Sequence, residues 1–455
     1  MKILIVMRSV NHFLYYRSIV GALASRGHSI DVLFDKGWSA GYNEEPVQAF
    51  IEEHPNVQRD WSLRRVGLWR SILFPLRELR TYRRFLLVPG QSTYYRDRWP
   101  NYMPWFLRQM VKRFPGAKAF LKTAFCGRML SAIENGASLA SNIVRDIKNR
   151  KPDVVIVLPL NMRFSEEIEY LKAAKSLSIP TASAVISWDN LTTKGLIHVR
   201  PDIEIVWNDA QVKEARIHHG ITETETRIVG SAVFDQWFDS SLGPSMSRDE
   251  FCKVHHLNPE HPFFLYLGSS RNMATDETWI IKKLRAELDG STDSRLQNAS
   301  LAVRPHGANY AIYEEIEEKG ITLVPRVGTL PNTKESFQLF YDTVFHSSGV
   351  IVGVNTSAVI DAMTVGKPLV VCVTEQYKKT QAETQHFQQL VEMGAVYLAH
   401  DEGEMQKTLG MMLSGDDPKK ENRTAFIKRF IRPSEVSAGE KAADEIEKLV
   451  DARHS

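Results

Sequence analysis

The chain opens on a short apolar run, Lys2-Ile-Leu-Ile-Val6, followed by apolar residues at helical spacing (Leu14, Ile19, Val20, Leu23) that stop at Gly27. A second apolar run spans Ile30 to Phe34, so the pattern predicts strand, helix, strand. Further runs at Val154 to Leu158, Thr181 to Ile186 and Ile203 to Trp207 alternate with polar or helical stretches, as the strands of a parallel sheet do. Between Phe238 and Glu250 a small-polar stretch centred on Gly243-Pro244 breaks both periodicities and predicts a linker. The alternation restarts at Phe263 to Leu267, Ser300 to Val303, Ile321 to Val324, Val350 to Val352, Leu369 to Val373 and Ala395 to Leu398. After Pro433 a helix is expected, with Ala442, Ile446 and Val450 on one face. The pattern predicts an α/β chain of two doubly wound Rossmann-like domains, at 1–240 and 241–432, and a C-terminal helix at 433–455.

A length of 455 residues suits two domains of roughly 200 residues each. Hydrophobic residues make up 43% and charged residues 24%, the balance of an ordinary globular protein with a sizeable core. Cys126, Cys252 and Cys372 lie far apart without metal-ligand spacing, so neither a disulfide framework nor a zinc site is expected. The run before Arg8 is shorter than a signal-peptide core, and no stretch approaches the roughly 20 apolar residues that cross a bilayer. A cytoplasmic location follows as the expectation.

Net charge is +3, yet residues 59–128 hold sixteen Lys and Arg against Asp60, Glu78 and Asp97, an excess of +13 that leaves the remainder at −10. The first domain is therefore expected to carry a basic helical insertion at about 58–150. Arginines alternate there with Trp61, Trp69, Phe74, Tyr82, Phe85, Tyr94, Tyr95, Trp99, Trp105, Phe106 and Phe114. Such a mixture suits a bilayer interface, where rings sit among headgroups and cations meet anionic lipid. Arg77, Arg80, Arg83 and Arg84 are the expected membrane-facing residues of a peripheral protein on the inner face of the membrane. Solvated helices that merely cover a site are the plainer alternative. Nucleic acid is not expected as a partner, for want of a recognised module.

The richest stretch for chemistry runs from Val350 to Val373: a buried strand, the turn Asn355-Thr356-Ser357, a helix carrying Asp361 and stopped by Gly366, and Lys367-Pro368 leading into the next strand. Small side chains admit a phosphate, hydroxyls donate to it, and a helix terminus adds about 0.3 to 2 kcal/mol. A simple N-cap by Thr356 or Ser357 explains the same residues without a ligand. This segment resembles the strand, turn, helix, Gly-Lys-Pro element in the C-terminal domain of GT-B glycosyltransferases and of CDP-glycerol glycerophosphotransferase-like enzymes. Leu265-Tyr-Leu-Gly-Ser-Ser-Arg271 resembles the first strand and donor-phosphate loop of that domain, and Val303-Arg-Pro-His-Gly307 its Arg-x-His-Pro stretch, although here His306 follows the proline. A structural ion pair is the plainer account of Arg304. The resemblance implies donor-binding roles for Gly268, Ser269, Ser270, Arg304, His306, Asn355, Thr356, Ser357 and Asp361.

In the first half, Ile186-Ser-Trp-Asp-Asn190, Val206-Trp-Asn-Asp-Ala210 and Ile228-Val-Gly-Ser-Ala232 resemble bacterial glycosyltransferase-like proteins of surface-polysaccharide type. Ser187, Asp189 and Asn190 fall just past a strand's carboxyl end, where open α/β sheets bind ligands, and are the acceptor-side candidates. Trp188 reads as core. His12 follows the first strand at the position where some inverting GT-B enzymes keep their base, with Asp189 and Asp35 as rivals and a packing histidine as the plain alternative. The chain holds no Gly-x-Gly-x-x-Gly after its first strand, no Walker sequence and no Asp-x-Asp, so no cofactor and no metal are expected.

The resemblance implies a GT-B enzyme that moves a sugar from a nucleotide-sugar donor to a hydroxyl of a glycan or lipid-linked acceptor, in surface polysaccharide or glycolipid assembly. A CDP-glycerol-type phosphotransferase and a UDP-sugar 2-epimerase share that fold, and a non-catalytic membrane- or RNA-binding protein is the alternative of another class.

Overall fold

A computed structural model describes residues 1–88, 93–318, 320–326 and 333–454, in two compact units. Met1–Asp235 and Phe430–Ser455 form the first and Gln236–Arg429 the second. The sequence-based boundaries at 240 and 432 thus fall a few residues past the points where the chain leaves the first unit and returns to it.

The first unit carries a seven-stranded parallel sheet in the order β3-β2-β1-β4-β5-β6-β7. Its strands are β1 (Lys2–Met7), β2 (Ser29–Phe34), β3 (Val57–Trp61), β4 (Val154–Leu158), β5 (Thr181–Ala184), β6 (Ile203–Val206) and β7 (Thr226–Ile228). Ile3, Leu4, Ile5, Val6 and Met7 are all fully buried, because helices cover both faces of the sheet, and this makes the strand legible as an unbroken apolar run. Helix α1 (Phe13–Ser25) packs against the last helix, Ala438–His454, where Arg26 meets Glu440, Asp444 and Glu447 at 2.6 to 2.7 Å.

The second unit repeats the plan in six parallel strands, ordered β10-β9-β8-β11-β12-β13. These are β8 (Phe263–Leu267), β9 (Ser300–Arg304), β10 (Ile321–Leu323), β11 (Val350–Val352), β12 (Leu369–Cys372) and β13 (Tyr397–Ala399). Strand order reverses between β1 and β4 in one sheet and between β8 and β11 in the other, which opens a crevice at the carboxyl ends of those strands in each unit.

The basic segment is helical after β3: α2 (Leu68–Leu87), α3 (Trp105–Arg113), α4 (Pro115–Lys122), α5 (Ala124–Gly136) and α6 (Ser141–Arg150). Residues 89–92 of the expected insertion lie outside the described ones. These helices enclose a core of their own that includes Leu73, Phe85, Trp99, Val111 and Leu121. Of the four arginines expected at the membrane, Arg77 and Arg84 are buried and Arg80 and Arg83 partly so. Arg77 is buried against Glu134 and Glu169, at 2.8 and 2.5 Å, and Arg84 donates to the carbonyl of Leu191 (2.7 Å) and to that of Lys194 (2.5 Å). Arg80 lies 3.8 Å from Glu134, and Arg83 donates to the Thr123 carbonyl at 3.1 Å. Buried cations need carboxylates or carbonyls, and this helix spends its basic stripe on them.

Candidate functional site

In the second unit the crevice is built on the loop after β8 and the turn after β11. The two meet where the Asn355 amide donates to Ser269 Oγ at 3.1 Å. Beneath them lies Glu277, wholly buried, which accepts from Tyr313 Oη (2.6 Å), Ser269 Oγ (3.2 Å), Tyr266 Oη (3.3 Å) and the Ser269 amide. Burial raises the Glu277 pKa, and the donors on its oxygens oppose that rise.

Gly353 lets the chain pass over this knot, since a Cβ there would collide with Tyr266 Oη and Glu277 Oε2. Gly353→Ala is expected to destabilise the fold by about 1 to 3 kcal/mol, through overpacking against hydrogen-bonded groups that cannot retreat. Urea denaturation midpoints test this, and an unchanged midpoint would mean that the knot is soft.

Three of the expected donor ligands are framework instead. Ser269 is fully buried, with its hydroxyl and amide spent on Glu277 and its carbonyl accepting from Asn309 at 3.1 Å. Gly268 gives its amide to the Arg304 carbonyl at 2.9 Å and leaves room for the Tyr313 hydroxyl. Asn355 is 7% exposed and donates to the Thr380 carbonyl (3.2 Å) and to His386 Nε2 (2.9 Å). Each is small or polar because the loops must approach closely and satisfy one another.

Ser270, Thr356, Ser357 and His306 keep surface. Ser357 precedes helix α7 (Ala358–Thr364) without capping it, and Thr356 Oγ1 accepts from the Ala358 amide at 3.4 Å. Arg304, at the end of β9, lies over the Phe340 ring at 3.5 Å, and its guanidinium makes no hydrogen bond to a described residue. Burial lowers its pKa to about 10, a fall that Asp361 opposes, so the guanidinium remains charged at neutral pH. Burial pushes Asp361 up to about 7, against the pull of Arg304 and Trp237. Lys367 does not share this crevice. It donates to the Ser347 carbonyl at 2.8 Å, ahead of β11, and lines a cavity of about 960 Å³ with Arg248, Met412 and Asp416.

In the first unit, the Arg8 amide donates to the Leu158 carbonyl at 3.2 Å, which brings the loops after β1 and β4 together. His12 Nδ1 is 2.7 Å from Ser9 Oγ, and Nε2 has no hydrogen-bond partner among the described residues. Burial, with the Arg8 charge, lowers the His12 pKa to about 4, so the ring is neutral at pH 7. With Nδ1–H donating to Ser9, the Nε2 lone pair is free to take a proton.

Asp35 caps its own turn through the amides of Gly37 and Trp38 and holds Arg64 in a two-point ion pair. Asp189 accepts from Ser187 Oγ (2.6 Å), Thr193 Oγ1 (2.7 Å) and Lys194 Nζ (3.1 Å). Both rivals to His12 are thus taken up by their own loops, and Ser187 is spent with Asp189. Asn190 is buried, its carbonyl accepting from Asn161 at 3.0 Å, while its Nδ2 has no partner among the described residues.

Two carboxyls were not legible in the sequence. Burial pushes Glu78, on α2, up to about 7, against the Phe164 amide at 2.8 Å and the charges of Arg8 and Arg163. Burial also raises Glu167, against the pull of the Arg8 charge, of its own amide and of the Ser165 hydroxyl. Buried carboxyls of raised pKa at a strand's carboxyl edge suit proton transfer. Their only signal was an acid placed where a helix or loop faces the sheet.

No family model matches the sequence, and no curated protein matches it. Solved structures do match along the whole chain. S. aureus MnaA, in a structure with UDP, aligns at TM-score 0.54 and 12% identity over 100% of this chain and 97% of its own. UDP-GlcNAc 2-epimerase from Methanocaldococcus jannaschii, in complex with UDP-GlcNAc and UDP, gives 0.51 and 13% over 99% and 100%. A glycosyltransferase from Rickettsia africae gives 0.53 and 10% over 99% and 98%. The likeness is one of fold: two Rossmann-like units in the GT-B arrangement of the chain.

Proposed function

We propose that this chain is a nucleotide-sugar-dependent glycosyltransferase that passes a sugar, from a UDP-linked donor foremost, to a hydroxyl of a glycan or lipid-linked acceptor. The observation that carries the reading is Arg304, a charged guanidinium braced on Phe340 and unspent on any described acceptor, at the carboxyl edge of the second sheet. The charge of Asp361, on the helix that follows the turn bearing the Thr356 and Ser357 hydroxyls, helps to keep it protonated. A diphosphate fits such a group, because a fixed cation and hydroxyl donors offset the charge that builds on the leaving phosphate. UDP in structures of the same fold supports the donor base. On this reading no divalent metal takes part, and the work belongs to surface polysaccharide or glycolipid assembly by a protein held at the inner face of a membrane.

Calorimetric titration with UDP, UDP-GlcNAc and CDP-glycerol, with EDTA present, tests it. The parent should bind a UDP ligand, and Arg304→Ala should weaken that binding by about 10- to 150-fold, the loss of a hydrogen bond to a charged group. Equal affinity in the variant, or no nucleotide bound by the parent, would remove the proposal. A UDP-sugar 2-epimerase is the second reading, favoured by the buried carboxyls of Glu167 and Glu78, whose raised pKa values suit moving protons at a sugar carbon. Isomerisation of UDP-GlcNAc without acceptor, followed by NMR, separates the two.

A further inference from the structure

Helix α4 packs on α3 and α5, and α4 and α5 pack on α2, so that Val111, Leu121, Cys126 and Leu130 turn inward. Their other side is apolar as well. Trp105, Phe106, Phe114 and Phe125 are 60 to 69% exposed, Phe120, with its ring 6.5 Å from that of Phe125, is 47% exposed and Met129 38%. Among the described residues, no other phenylalanine or tryptophan is as exposed as those four. Lone exposed rings are ordinary, but a cluster of them marks an interaction surface.

Charge says what covers it. From Arg98 to Ile133 the chain has seven Lys and Arg and no acidic residue. Lys112, Arg113, Lys118, Lys122 and Arg128 all stand exposed between the rings, in contrast to Arg77 and Arg84, which turn inward. A bilayer combines an apolar phase with a plane of phosphates above it, whereas nucleic acid offers phosphates without the apolar phase. Among the described residues no helix is long and apolar enough to cross a membrane, so contact would be in the plane of the interface.

We propose that α3, α4 and α5 dock this face on an anionic lipid bilayer, with the rings at headgroup depth and the exposed cations on lipid phosphates. The surface deepens the membrane location in the proposed function but does not depend on its chemistry: docking needs no nucleotide, so docking and sugar transfer can fail separately.

Cosedimentation with vesicles of equal parts phosphatidylglycerol and phosphatidylcholine, against phosphatidylcholine alone, provides the test. The parent should prefer the anionic vesicles at least about tenfold and lose that preference in about 0.5 M salt. Trp105→Ser/Phe106→Ser/Phe125→Ser should bind about 100-fold more weakly, through loss of inserted apolar surface. Lys112→Gln/Arg113→Gln/Lys118→Gln/Lys122→Gln should lose about as much and flatten the salt dependence. All these side chains are exposed, so thermal unfolding should match the parent. Equal binding to both vesicles, or parental binding by the aromatic variant, would overturn the proposal. So would an aromatic variant that only converts a dimer to monomers, since the face would then be an interface between copies.

Discussion

Replacing His12 by alanine is expected to lower the turnover of sugar transfer by about 100- to 10,000-fold with donor affinity unchanged, if the reaction inverts the sugar and needs a base. Three features favour this residue over its rivals. Its Nδ1 is oriented by Ser9 at 2.7 Å, its Nε2 has no described partner, and burial beside Arg8 keeps the ring neutral with a pKa of about 4. Asp35 and Asp189 lack that freedom, because an arginine and loop donors already hold their oxygens. The pH profile carries a sign that can be checked. A base works when deprotonated, so kcat/KM should stay level from neutral pH to about 5 and fall as the pH drops through about 4. An ordinary imidazole would already have lost about half of its activity at a pH near 6.5. Near-parental turnover in His12→Ala would move proton transfer elsewhere, with Glu167 next to be changed.

Arg77→Ser is expected to destabilise the chain by about 3 kcal/mol, which is more than surface substitutions on the same helices cost. The guanidinium lies between Glu134 and Glu169, both essentially without exposure, and its removal strands two carboxylates away from water. Lys172, at 3.0 Å from Glu134, and Arg65, at 2.6 Å from Glu169, remain as partners and keep the cost near the lower end of the range for broken buried pairs. Acid should expose the same network. Burial alone would raise Glu134, but Arg77 and Lys172 hold it at about 2, below its ordinary 4.5. Its ionised form therefore stabilises the fold fully above pH 4.5, and that contribution is lost as the pH falls towards 2. The variant should show less of this acid dependence than the parent in urea unfolding at pH 7, 4 and 3. Identical midpoints for the two proteins at pH 7 would mean that the buried network contributes nothing.

The sequence by itself determined the class of fold. Strands such as β1, β4, β8 and β12 are covered on both faces, so burial forces every residue to be apolar and the run is visible without partners. The edge strands β3 and β7 escaped for the same reason in reverse, since Val57–Trp61 buries only Val57 and Thr226–Ile228 only Thr226. Local spacing also marked the turn at 355–357 and the loop at 268–270. It could not tell that Ser269 and Asn355 would bond each other across 86 residues of chain, nor that Glu277 would claim the loop's donors, because hydrogen bonds between distant segments leave no periodicity.

The basic insertion shows the division most plainly. Composition fixed that arginines and aromatics would lie on the same helices, but which of them face outward depends on where the partners are. Glu134 and Glu169, which lie 57 and 92 residues beyond Arg77, turn Arg77 inward. Trp105, Phe106 and Phe125, with nothing packed over them, remain at the surface. A charge and a ring are each amphipathic at the level of sequence, and only the tertiary structure decided which was buried, through the presence or absence of a counter-charge in the core.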